Sequence, residues 1–94
     1  MPAVRKSRSI VFSAANDNVD YPCALTSLRL SGTGLTVGQR VTVQDNKGSI
    51  IADHYIANAN ENEELLQAGM HWVAGILLSS APAGGSWSLV ARLA

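Results

Sequence analysis

The chain is short of charge, of aromatic side chains and of cysteine, and each shortage closes off a class of protein. Charged residues make up 15% of the 94, against roughly 25% in an average soluble chain. Seven Lys and Arg balance seven Asp and Glu, so the formal net charge is zero. Phosphate binding relies on a surplus of Lys and Arg, so nucleic acid is not expected as the main ligand. The single cysteine, Cys23, excludes an intrachain disulfide, and nothing requires an oxidising compartment. The longest apolar run, near Ile76, falls far short of the roughly 20 residues that span a bilayer. Ser7, Ser9 and Ser13 interrupt the stretch around the N-terminal basic residues, so no signal peptide is expected. Six asparagines are present without one Asn-x-Ser/Thr sequon.

What the chain does have is apolar content, 47%, arranged largely with period 2, the mark of half-buried strands. After a polar, basic segment over residues 1–9, Ile10–Ser13 reads as a first strand. In Cys23–Ser31, Ala24, Thr26, Leu28 and Leu30 fall on one face, with Leu25, Ser27 and Arg29 on the other. Arg40–Gln44 alternates cleanly and is rich in β-branched residues, which suit a pleated surface. Asp45-Asn46-Lys47-Gly48 predicts a tight hairpin turn. The return strand, Ser49–Ala57, puts Ile50, Ala52, His54 and Ile56 on one face. Met70–Ser80 reads as one strand with Met70, Trp72, Ala74, Ile76 and Leu78 on its heavier face, and Gly75 inside it predicts a bulge or close backbone approach. Ser86–Leu93 presents Trp87, Leu89, Ala91 and Leu93 together. Asn62–Ala68 reads as a loop with at most one capped helical turn.

About six strands with Gly/Pro turns between them predict an all-β fold, a small antiparallel β-sandwich or jelly-roll-like barrel. Residues 1–9 form a basic N-terminal arm and residues 10–94 a single domain. The expected interior is Phe12, Leu28, Leu30, Val41, Val43, Ile50, Ile56, Trp72, Ile76, Leu78, Trp87 and Leu89.

Candidate chemistry is thin. Cys23, His54 and His71 lack zinc-ligand spacing. No nucleophile elbow is present, and Cys23 reads as a small buried hydrophobe. Asn16–Asp20 begins like a calcium loop, but Tyr21 stands where Gly is needed and Ser27 where Glu is needed. An Asx-turn loop is the better reading. Gly32–Gly38 is glycine-rich, but a strand follows it and not the helix that a phosphate cradle needs. Trp72 and Trp87 lie on apolar strand faces, which assigns them to core or interface ahead of a sugar-stacking platform. No catalytic residue, cofactor or metal ligand is assigned, and no enzyme activity is expected.

Val41–Ala57, Trp72-Val73-Ala74-Gly75-Ile76 and Ala81-Pro82-Ala83-Gly84-Gly85-Ser86-Trp87 together give the chain a likeness of arrangement to one family. It resembles the small β-sandwich or jelly-roll virion proteins of tailed bacteriophages, which decorate capsids or form parts of tails and fibres. The resemblance implies a structural virion protein, foremost a capsid decoration or cement protein, made in the host cytoplasm and located in the virion. It also implies identical subunits as partners, commonly as a homotrimer, together with capsid or other virion proteins. Arg5, Lys6 and Arg8 are then the candidate partner-binding residues, facing an acidic protein surface. The alternatives are a tail or fibre component, or a carbohydrate-binding module that uses an exposed Trp. An exposed Trp beside polar groups would favour the carbohydrate reading. Burial of both, in the core or between subunits, would favour the virion reading.

Overall fold

The hairpin turn forms where its residues require. Asp45 Oδ1 accepts from the backbone N–H groups of Lys47 at 2.9 Å and Ser49 at 2.8 Å. Gly48 takes the left-handed conformation, φ 88°, where a residue without Cβ is least strained. The turn joins β5 (Arg40–Gln44) to β6 (Ile50–Tyr55). The computed structural model describes residues 9–66 and 69–94, and the backbone alone of residues 4–6. The remaining strands are β1 (Val4–Lys6), β2 (Ser9–Phe12), β3 (Asn18–Val19), β4 (Cys23–Thr33), β7 (Glu61–Glu64), β8 (His71–Val73), β9 (Ile76–Ser80) and β10 (Ser86–Leu93).

They make two antiparallel sheets, a small β-sandwich. The larger runs β1-β2-β10-β4-β7, with β8 also paired to β4; the smaller runs β3-β9-β5-β6. Phe12, Leu28, Leu30 and Leu89 from the larger sheet and Val41, Val43, Ile76 and Leu78 from the smaller are fully buried. Leu25, Ile10, Ile56 and Ala91 extend that core.

Five local expectations are corrected. The two faces of β4 exchange midway. Cys23 and Leu25 point inward, and so do Leu28 and Leu30. The register against β10 slips at this point, Ser27 pairing Arg92 and Leu25 pairing Leu93. An extra residue in one strand reverses every side chain beyond it, so Leu25 is core. Second, Met70–Ser80 is two strands in different sheets. β8 pairs β4 and β9 pairs β5 and β3, with the switch at Ala74–Gly75. Trp72 therefore sits on the outer face, 74% exposed. Third, Ile50 is exposed because β6 slips one residue against β5, Gln44 facing Ile50 and Val43 facing Ala52. Fourth, Glu61–Glu64 is a strand on β4 and not a helical turn, and no helix occurs among the described residues. Fifth, part of the basic arm belongs to the sheet: Val4–Lys6 pairs β2, Arg5 facing Ile10. Trp87 is half-buried and packs against the core.

Candidate functional site

The switch between sheets opens one side of the sandwich. β6 is the edge of the smaller sheet, and β8 pairs β4 alone. The β5–β6 turn reaches across to hold the crossing: Asn46 N–H donates to Ala74 O at 3.2 Å. Gly75, φ 101°, lies so close that an added Cβ would strike the Asn46 side chain. The gap that remains is a groove of about 450 Å³. Asp45, Ser49, Ile50 and Ile51 line it from the hairpin side, His71, Trp72 and Val73 from β8, and Leu65 and Leu66 from the segment after β7. Its lining is mostly aliphatic and includes the exposed Trp72. Met70, beside β8, is also exposed, at 60%.

A second depression, of about 640 Å³, is polar. Ser31, Thr33, Asn60, Asn62, Ser86 and Trp87 are among the residues around it. Asn62 Oδ1 accepts from Arg29 Nε at 2.7 Å and Asn60 Oδ1 from Gly34 N at 3.4 Å.

Bordering the second depression is a group that the sequence did not single out. Glu61, on β7, is covered, with 2% of its side chain exposed. Its Oε2 sits 2.6 Å from His54 Nε2, on β6 of the other sheet. Its Oε1 accepts from the N–H groups of Ala57 at 2.6 Å and Asn58 at 3.1 Å. Burial alone would raise the pKa of this carboxyl. The bonds from His54, Ala57 and Asn58 outweigh it and hold the group below the ordinary carboxylate range. The pair thus ties the two sheets together and brackets the loop that connects them.

A separate surface pair lies on the hairpin. Arg40 grips Asp53 through two guanidinium nitrogens, with Nε to Oδ1 at 2.7 Å, and lies over the Tyr55 ring at 5.7 Å. Thr42 Oγ1 donates to the same carboxylate at 3.3 Å. Hydrogen bonding to Arg40 lowers the Asp53 pKa, and the Arg40 pKa is raised in return. Both groups are solvated, so the pair orients the strand surface and adds little to stability.

The Asn16–Asp20 loop is held by Asp17, whose carboxylate bonds backward along the chain and so does not form the expected Asx turn. Asp17 Oδ2 accepts from Ser13 N at 2.9 Å and Ala14 N at 3.1 Å, and the loop is stitched to β9 through Asn16 N to Leu78 O and Leu78 N to Asp17 O. Asp17 Oδ1 is buried without a hydrogen-bond partner among the described residues. Cys23 is buried, and burial raises its thiol pKa. Among the described residues no group of three or more His, Cys, Asp or Glu is placed to hold a metal.

Of the candidate partner-binding residues, Arg5 and Lys6 lie in β1, where only the backbone is described, and Arg8 falls outside the described residues. The structure brings Trp72 into the groove and separates it from Trp87, which borders the polar depression. Sequence reasoning missed Leu65 and Leu66 as groove residues and Glu61 as a partner of His54. The adjacent leucines gave a signal, since an apolar pair inside an acidic stretch has to cover something.

These observations define a small two-sheet antiparallel β-sandwich with one apolar groove on its open side. No family model, no curated protein and no solved structure matches the chain.

Proposed function

We propose that the chain is a structural protein of a tailed-phage virion, foremost a capsid decoration or cement protein, that acts through protein–protein contacts and has no catalytic activity. The observation that carries this reading is the apolar groove beside Trp72. Of the residues that line it, Ile50 is 56% and Trp72 74% exposed. Covering a large apolar side chain is worth about 1.5–3 kcal/mol, so a partner that seals the groove gains from both. The phage assignment rests on the resemblance, and the need for a partner rests on the groove. In this reading identical subunits meet one another, a homotrimer by the resemblance. Arg5, Lys6 and Arg8 face an acidic surface of a shell protein.

The test is particle association. The chain is expected in purified virions at fixed stoichiometry. Deleting residues 1–8 is expected to weaken attachment, and the advantage of the full chain shrinks in high salt because exposed ion pairs are screened. Absence from particles overturns the reading.

A second reading, carbohydrate binding, is favoured by the polar depression at Trp87. Trp72 has the exposure that a sugar platform needs, but its groove is mainly aliphatic. Trp87 has hydroxyl and amide neighbours. Titration with neutral hexasaccharides tests it: saturable shifts of the amide resonances of Ser31, Asn62 and Ser86 support it, and unchanged spectra remove it.

A further inference from the structure

We propose that β6 is a docking edge for an extended segment of a partner protein, which adds to the smaller sheet as a further strand. The inference rests on the protein-contact part of the reading above and names its surface and the kind of partner that fits it. The backbone selects the occupant. Ile56 N–H donates to Gln39 O at 2.9 Å, and Ile56 O accepts from Gly38 N at 2.8 Å, so Ile56 turns its peptide groups toward β5. Direction alternates along an antiparallel strand, and the register with β5 is regular from Ala52 to Tyr55. Ala52 and His54 therefore also bond to β5, while Asp53 and Tyr55 turn their N–H and C=O groups outward. β6 pairs β5 and no other strand among the described residues, so this row of alternating donors and acceptors is open. Its complement is another extended backbone, which repeats donors and acceptors at the same spacing.

Among the edges whose side chains are described, β6 is the one left unguarded. Natural sheets protect their edges with charge, proline or short strands. β3 has two residues, β8 has three, and β7 carries the exposed Glu63 and Glu64. β6 has six residues without proline or lysine, and Arg40 pairs with its one carboxylate, Asp53. The apolar groove adjoins its first two residues, Ile50 and Ile51, and Ile50 and Tyr55 are 56% and 60% exposed. Side chains alternate between the faces of a strand, so a strand laid beside β6 turns every second side chain toward the groove. The segment that fits is extended and carries apolar residues at alternate positions.

The probe is a synthetic library of eight-residue peptides, with Val, Ile, Leu or Phe at every second position and Ser, Thr or Lys between. It is titrated into the full chain and followed by amide hydrogen exchange. The expected result is binding at submillimolar concentration, with exchange at Asp53 and Tyr55 slowed about tenfold or more. N-methylation of the best peptide at the alternate nitrogens that face β6 should abolish binding, and N-methylation at the other set should spare it. Tyr55→Pro removes one outward N–H and keeps the bonds to β5, so it should weaken binding about tenfold or more. If that variant loses its fold, the two methylated peptides carry the test on wild-type protein. Four results overturn the inference: no library peptide binding at millimolar concentration, protection at a strand other than β6, equal binding by both methylated forms, or a dimer of the chain alone that protects Asp53 and Tyr55, since the occupant is then a second copy. A chain that is present in virions but binds no strand would sink this inference alone. A chain that binds the peptides but is absent from virions would sink the virion reading alone.

Discussion

Removing the Glu61 carboxylate should be the most damaging single polar change in the described fold. Glu61→Ala deletes the acceptor for His54 Nε2 and for the backbone N–H groups of Ala57 and Asn58. A buried donor left without a partner costs about 1–3 kcal/mol, and a hydrogen bond to a charged group contributes about 1.5–3 kcal/mol. The sum is not additive, because water enters the space left by the side chain. His54 is 22% exposed and the bonds to Ala57 and Asn58 are part-buried, so water takes up the freed donors and a loss of about 2–3 kcal/mol is expected. Against a total of about 5–15 kcal/mol for a domain, that is a large share. At about 4–8 °C per kcal/mol for a chain of this size, the melting temperature should fall by about 10 °C or more.

Glu61→Gln keeps an oxygen for Ala57 and Asn58 and should lose much less. The pH dependence has a definite sign. The folded-state pKa of Glu61 lies below its ordinary value of 4.5. Its contribution is therefore fully present above that value and is lost as pH falls through the folded pKa. Urea unfolding followed by circular dichroism between pH 7 and pH 3 measures this. Wild type should lose stability below about pH 5, and Glu61→Gln should lose less over the same interval. If Glu61→Ala costs under about 1 kcal/mol, within the ordinary range for a single neutral hydrogen bond, the carboxylate does not hold the sheets together and the reasoning fails.

Truncating the core should also be costly. Leu28→Ala and Leu89→Ala, both at fully buried positions, should each lose about 2–5 kcal/mol, and unchanged melting temperatures would refute the strand phases. Gly75→Ala should destabilise as well, since φ is 101° and the new Cβ meets Asn46; amide exchange in the β5–β6 turn should speed up in that variant. Cys23 should react slowly with a thiol reagent in the folded protein and quickly in denaturant, because its thiol is buried and its pKa raised.

Alternation made β5, β10 and much of the β6 core legible in the sequence, because a strand with one buried face repeats every two residues. It failed where the backbone breaks that period. Nothing in Leu25-Thr26-Ser27-Leu28 marks the slip against Arg92 and Leu93, and a polar pair between leucines fits either phase. Gly75 did mark a close backbone approach, but the pattern on both sides of it continues so evenly that one strand looked like the simpler reading. Trp72 was misplaced for this reason alone. His54 and Glu61 are seven residues apart, yet they meet only because the chain changes sheets between them, a tertiary fact that no local pattern carries. The two leucines after β7 were visible, but their role in the groove depends on where β8 leaves the sheet.

The position of β10 sets a timetable for synthesis. It follows the other described strands in the sequence, and it lies between β2 and β4, pairing both along its length. Until the ribosome has made it, β2 and β4 have open edges, and the inner residues of the larger sheet have no continuous surface on which to close. The β5–β6 hairpin can form early from local contacts, but the larger sheet has to wait. A nascent or truncated chain that lacks residues 86–93 would therefore present unpaired, low-charge strands, the form in which β proteins aggregate. Expression of a chain shortened to remove residues 86–93 should accordingly yield insoluble protein.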